Sequence, residues 1–76
     1  MKLVKLELYE SDGSLFEEYM FWTEKPMAYF CSYNGEIKHT FVNWLKEHNK
    51  SIYDEITTSY FNIKVHYFDE QTLDII

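Results

Sequence analysis

Leu3-Val4-Lys5-Leu6-Glu7-Leu8-Tyr9, the turn Ser11-Asp12-Gly13-Ser14 and the return stretch Leu15 to Trp22 decide the fold. The first segment alternates strictly, Val4, Leu6 and Leu8 on one side and Lys5, Glu7 and Tyr9 on the other, which is the period of a half-buried strand. Asp12 can bond its own backbone and Gly13 can take positive φ, so the four residues between the segments read as a turn and the whole as a β-hairpin. Between Glu7 and Glu18 this hairpin carries Glu7, Glu10, Asp12, Glu17 and Glu18 and no base.

Working outward, Thr23-Glu24-Lys25-Pro26 reads as a helix start, with Thr23 as cap and Pro26 in the first turn. Met27 to Tyr33 would follow as a short helix or an extended piece, interrupted by Asn34-Gly35. From Glu36 to His48 the pattern is helical: Ile37, Phe41, Trp44, Leu45 and His48 form one stripe, with Asn34 as the cap. Ser51 and Asp54 have the spacing of a capping arrangement, which predicts one further turn over 52–56. Tyr60 to Phe68 alternates again, placing Phe61, Ile63, Val65 and Tyr67 inward. Asp69-Glu70-Gln71-Thr72 is a polar turn, and Leu73 to Ile76 reads as a short fourth strand or a docking tail. The expected fold is α+β: a small antiparallel sheet, built from the N-terminal hairpin and the C-terminal strand or strands, with one main amphipathic helix on one face.

Composition narrows the function classes. Seventy-six residues make a single domain spanning 1–76, at the small end of what folds unaided. Hydrophobic residues make up 46% and aromatic residues 20%, more ring surface than so small a core hides, and exposed apolar surface points to a partner or a homodimer. The net charge is −6, and all seven basic residues are lysines. Free nucleic acid and anionic membranes both reward Lys and Arg, so neither is an expected ligand. A lone Cys31 allows no intrachain disulfide, and neither a membrane span nor a signal peptide is visible, which predicts a complete, soluble, cytoplasmic protein.

Catalytic and metal motifs are absent from the pattern. His39, His48 and His66 have no metal-pair spacing, and Cys31 has no base at a telling distance, so no metal, cofactor or enzyme is expected. A small hydrolase would need His39 or His66 to meet a carboxylate in a concave site. The carboxylates are unevenly distributed instead: five acids and no Lys over 7–18, and five acids against Lys64 over 51–76. Acids two apart on a strand lie about 6.8 Å apart, close to the spacing of successive phosphates, roughly twice the 3.4 Å rise.

In size, acidity, single Cys and lack of a catalytic set, the chain resembles the small acidic host-takeover and inhibitor proteins of bacteriophages, some of which imitate DNA. That similarity of composition implies a non-catalytic inhibitor covering the basic, DNA-contacting surface of a replication, transcription or nuclease protein. Glu7, Glu10, Asp12, Glu17 and Glu18 would stand in for phosphates with Asp69, Glu70 and Asp74, and Tyr9, Tyr19 and Phe68 would anchor the contact. The alternative is an adaptor or immunity-type protein that binds through an exposed aromatic face, its acidity incidental.

Overall fold

The computed structural model describes residues 1–68. The polar turn and fourth strand expected over 69–76, with Asp69, Glu70 and Asp74, lie outside the described residues. Three strands, β1 (Lys2–Tyr9), β2 (Leu15–Thr23) and β3 (Asn62–Phe68), and two helices, α1 (His39–His48) and α2 (Lys50–Thr58), make up the α+β fold. The sheet order is β2-β1-β3, so the N-terminal strand is central and antiparallel to both neighbours.

Opposed residues of antiparallel strands share a face, so the registers fix two sets of rows. Facing the helices are Phe21–Val4–Tyr67, Tyr19–Leu6–Val65 and Glu17–Leu8–Ile63. Val4, Leu6 and Leu8 are fully buried there and pack with Phe30, Phe41, Leu45, Ile52 and Val65. Phe21 is the hub of the aromatic contacts. Its ring stacks on Trp44 at 4.5 Å and meets Phe30 and Phe41 at 5.6 and 5.7 Å, spacings at which aromatic pairs attract beyond their buried area. Leu8 opposes Glu17 whereas Tyr9 opposes Leu15, so Phe16 is the extra residue of a β-bulge. The bulge re-aims its ring onto Phe61, 4.8 Å away.

The hairpin, the helix stripe and the third strand stand where the sequence pattern puts them, with local differences. The segment after β2 forms only a 3₁₀ turn, Met27–Tyr29. Thr23 Oγ1 accepts from the Lys25 amide instead of capping a helix. The chain then folds back as a narrow arm, in which Cys31 bridges Ile37 and Ser32 N–H donates to Glu36 O. That arm takes Asn34 and Ile37 out of the helix, and α1 begins at His39, fastened by the Thr40 hydroxyl donating to Tyr29 O. Asn49 ends α1 and caps α2, its Oδ1 accepting from Ile52 N–H. α2 is nine residues long, more than the single turn read from Ser51.

Candidate functional site: the open sheet face and its edge

Both helices pack on one face of the sheet, and no described helix covers the other. The register orders that open face into rows running from apolar to polar: Trp22–Leu3–Phe68, then Met20–Lys5–His66, then Glu18–Glu7–Lys64, then Leu15–Tyr9–Asn62.

Glu7 sits at the centre and is buried, 8% exposed. A buried carboxylate is tolerated only when paired and hydrogen-bonded, and its neighbours on the two flanking positions supply this. His66 Nε2 donates to Glu7 Oε1 at 2.6 Å, and Lys5 Nζ lies 3.4 Å from Oε2. Burial works against ionisation of Glu7, but the His66 and Tyr9 hydrogen bonds and the charges of His66 and Lys5 outweigh it and hold its pKa below the usual carboxylate range. Lys5 also reaches Glu18, 3.6 Å away, and the Glu18 and Glu7 charges raise the Lys5 pKa. The two acids of this face are thus held by Lys5, which reaches both, and by the His66 bond to Glu7, with Lys64 opposite Glu7 in the register.

The other hairpin acids go elsewhere. Glu10 and Asp12 are exposed in the turn, where Ser14 Oγ donates to Glu10 Oε2 (3.1 Å) and Asp12 Oδ1 (2.6 Å) and the Ser14 amide donates to Asp12 at 2.9 Å. These bonds hold the Asp12 pKa low. Glu17 points to the helix side and meets Glu55 of α2, with one carboxyl oxygen of each buried and no basic group or amide bonded to it. The hydrogen bond to Glu17, with burial and the Glu17 charge, raises the Glu55 pKa. The candidate phosphate mimics therefore divide among three places: Glu7 and Glu18 on the open face, Glu10 and Asp12 in the turn, Glu17 under the sheet. Tyr19, one of the anchors read from the sequence, is half-buried against Phe21, 5.3 Å away on the helix side. Tyr9 and Phe68 are on the open face, and Phe68 stacks on His66 at 6.1 Å.

Apolar exposure is concentrated. Among the described residues, four of the seven most exposed large apolar side chains belong to β2: Leu15, Phe16, Met20 and Trp22, each about half exposed. No motif announces this cluster; its signal is the run Leu15-Phe16 and Met20-Phe21-Trp22 flanking two acids, in a strand without Lys or Pro.

His66 does meet a carboxylate, as a hydrolase would require. The pair lies on an open sheet, however, and His66 also lines a shallow cleft of about 320 Å³ beside Cys31, Ser32 and Gly35. Ser32 Oγ accepts from the Asn34 and Glu36 amides, and burial raises the Cys31 pKa, which keeps the thiol protonated and a poor nucleophile. His48 stacks on Trp44 and bonds Trp44 O through Nδ1 at 2.9 Å. His39 is exposed at the start of α1. No three or more His, Cys, Asp or Glu gather as a metal site among the described residues.

No family model matches the chain, and no curated protein and no solved structure matches it significantly. Among the described residues no helix is long and apolar enough to cross a membrane.

Proposed function

We propose that this chain is a small non-catalytic protein-binding module that makes its contact through β2 and the apolar end of the open sheet face. The observation that carries this reading is the gathering of Met20, Trp22, Leu15 and Phe16 on one strand while Glu18 and Glu7, the acids of the same open face, are paired within the chain. Large exposed rings and thioethers supply affinity when a partner buries them, and paired charges add little. This favours the aromatic-face reading over imitation of DNA, which needs its carboxylates unpaired and in a row. The acids that stay exposed, Glu10 and Asp12, stand beyond the far end of the face and steer approach. A buried thiol without a disulfide partner suits a reducing, cytoplasmic setting.

Partner capture with the purified chain tests this. Trp22→Ala and Met20→Lys should abolish capture, whereas the double change Glu10→Gln and Asp12→Asn should lower it less than threefold and leave it intact in 500 mM salt. The opposite pattern, with capture lost on neutralising the turn acids or on raising salt, would restore the acidic-mimic reading.

A further inference from the structure

We propose that the partner at this strand is a second copy of the chain: β2 pairs antiparallel with β2 of the other copy about a two-fold axis through Met20, giving one continuous six-stranded sheet. The inference rests on the reading of β2 as the contact strand and adds its occupant and register.

The two edges of the sheet are treated differently. On β3 the outer edge meets the chain's own arm at its middle residue: Val65 N–H donates to Gly35 O at 2.9 Å, and a Cβ on Gly35 would stand only 3.1 Å from Val65 O. On β2 the outer edge has no strand beside it among the described residues. Edge strands are ordinarily guarded by Lys, Pro, short length or an inward charge, because an open ladder templates another strand. β2 is nine residues long, has neither Lys nor Pro, and places its one bulge at the Leu15 end. Its one inward charge, Glu17, stands next to that bulge, and residues 18–23 are left as a regular edge without Lys, Pro or an inward charge, with Met20 near the middle.

Charge selects both the register and the fit to a like strand. A two-fold axis through a residue pairs positions whose numbers sum to twice its own, and the acids Glu17 and Glu18 limit the choice. An axis at Glu18 sets Glu18 opposite its copy. An axis at Tyr19 makes the two Glu18 side chains diagonal neighbours, about 7–8 Å apart, and draws the bulge into the ladder. An axis at Met20 pairs Glu18 with Trp22, Glu17 with Thr23 and Tyr19 with Phe21. The two Glu18 positions are then four residues apart along the strand, about 14 Å, beyond the screening length of about 8 Å in physiological salt. Met20 and Trp22 of both copies form one apolar cluster over the axis, covering the two most exposed apolar side chains of the strand. Glu24, just past the ladder, lies 3.9 Å from the Met1 ammonium, which offsets its charge.

Sedimentation equilibrium of the full chain between 5 and 500 µM should give the mass of a dimer. Met20→Lys sets two lysines face to face across the axis and should weaken association at least tenfold with the circular-dichroism spectrum unchanged. Met20→Cys should form a disulfide dimer on mild oxidation, since residues opposed across a ladder have Cα atoms 4.5–5.5 Å apart; Trp22→Cys should not, and Cys31 is buried. The disulfide comparison decides the register should Met20→Lys fail to fold. A monomer at 500 µM, a dimer indifferent to Met20→Lys, or cross-linking at Trp22 instead of Met20 overturns the proposal. A monomer whose capture of another protein is still lost with Met20→Lys overturns the second copy and leaves the contact strand standing; if capture is indifferent as well, both readings fall.

Discussion

Glu7 and Glu55 are two glutamates with opposite pH behaviour. The Glu7 pKa is lowered in the folded chain, so its pairing stabilises the protein above the ordinary glutamate range and is lost as pH falls through the folded value. Glu7→Gln keeps the shape and removes the charge that His66, Tyr9 and Lys5 address. It should cost about 1–2 kcal/mol near pH 7, at the low end for hydrogen bonds to charged groups because the partners are partly exposed, and progressively less as pH falls through the folded Glu7 value, as read from urea unfolding at pH 7 and over an acid series. Glu55 has the reverse sign. Its pKa is raised, so the folded chain holds this proton more tightly than the unfolded one, and the stability that this gives is present at low pH and lost as pH rises through the folded value. Glu55→Gln replaces a carboxyl facing Glu17 with an amide that donates to it. It should raise the thermal midpoint by a few degrees at pH 7, since about 1 kcal/mol corresponds to roughly 4–8 °C in a domain this size, and leave it unchanged at pH 4. Neither pairing is legible in the sequence. The strand period puts Lys5, Glu7 and His66 outward and separates Glu17 from Glu18, but which outward residues meet is decided by the registers of residues 59 positions apart. The bulge at Phe16 belongs to the same class of feature.

At the scale of elements, the hydrophobic period was sufficient for β1, β2, β3 and the buried side of α1, where Phe41 and Leu45 are fully covered. Boundaries were not, because they are set by contacts from outside the element. α1 starts three residues later than the helical pattern from Glu36 suggests because Ile37 bridges Cys31 in the arm. α2 starts on Asn49 and not on Ser51, because the residue that ends one helix is already placed to cap the next. The two positive-φ glycines separate backbone freedom from steric room. Gly13 (φ 91°) has open space where a Cβ would be, whereas Gly35 (φ 80°) would direct a Cβ at the Val65 carbonyl. Gly13→Ala should therefore cost only the left-handed strain of about 1–2 kcal/mol. Gly35→Ala should cost more, about 2–4 kcal/mol with the arm pushed off β3. Unfolding midpoints give the order, and loss of amide-exchange protection at Val65 in Gly35→Ala alone gives the cause.

On the scale of the whole molecule, the described residues give the sheet one finished face, one open face and an open edge at β2. The finished face is what alternation and the helix stripe announce: apolar residues of three strands and two helices closing one core. The open face was harder to read, since its acids are counted from the sequence as a negative surface and found in space to be matched by Lys5, Lys64 and His66. Charge totals describe a chain; charge balance depends on strand pairing. What the composition does carry through is the surplus of apolar surface, which no core of this size absorbs: Leu15, Phe16, Met20 and Trp22 leave part of it on β2, and Tyr33 and Tyr60 carry exposed rings elsewhere.

The central position of β1 has a consequence for the order of events in folding. β1 precedes both of its partners in the chain, and the second comes at the far end of the described residues, Leu3 pairing with Phe68. The hairpin can zip early through a short turn, but the described sheet stays two-stranded, with a β1 edge open, until residues 62–68 exist. Two-stranded ribbons are marginal in water, and contacts so distant in sequence are slow to form. Folding of the described sheet is therefore gated by β3: a nascent or truncated chain that lacks residues 62–68 presents the β1 edge that β3 covers in the finished sheet.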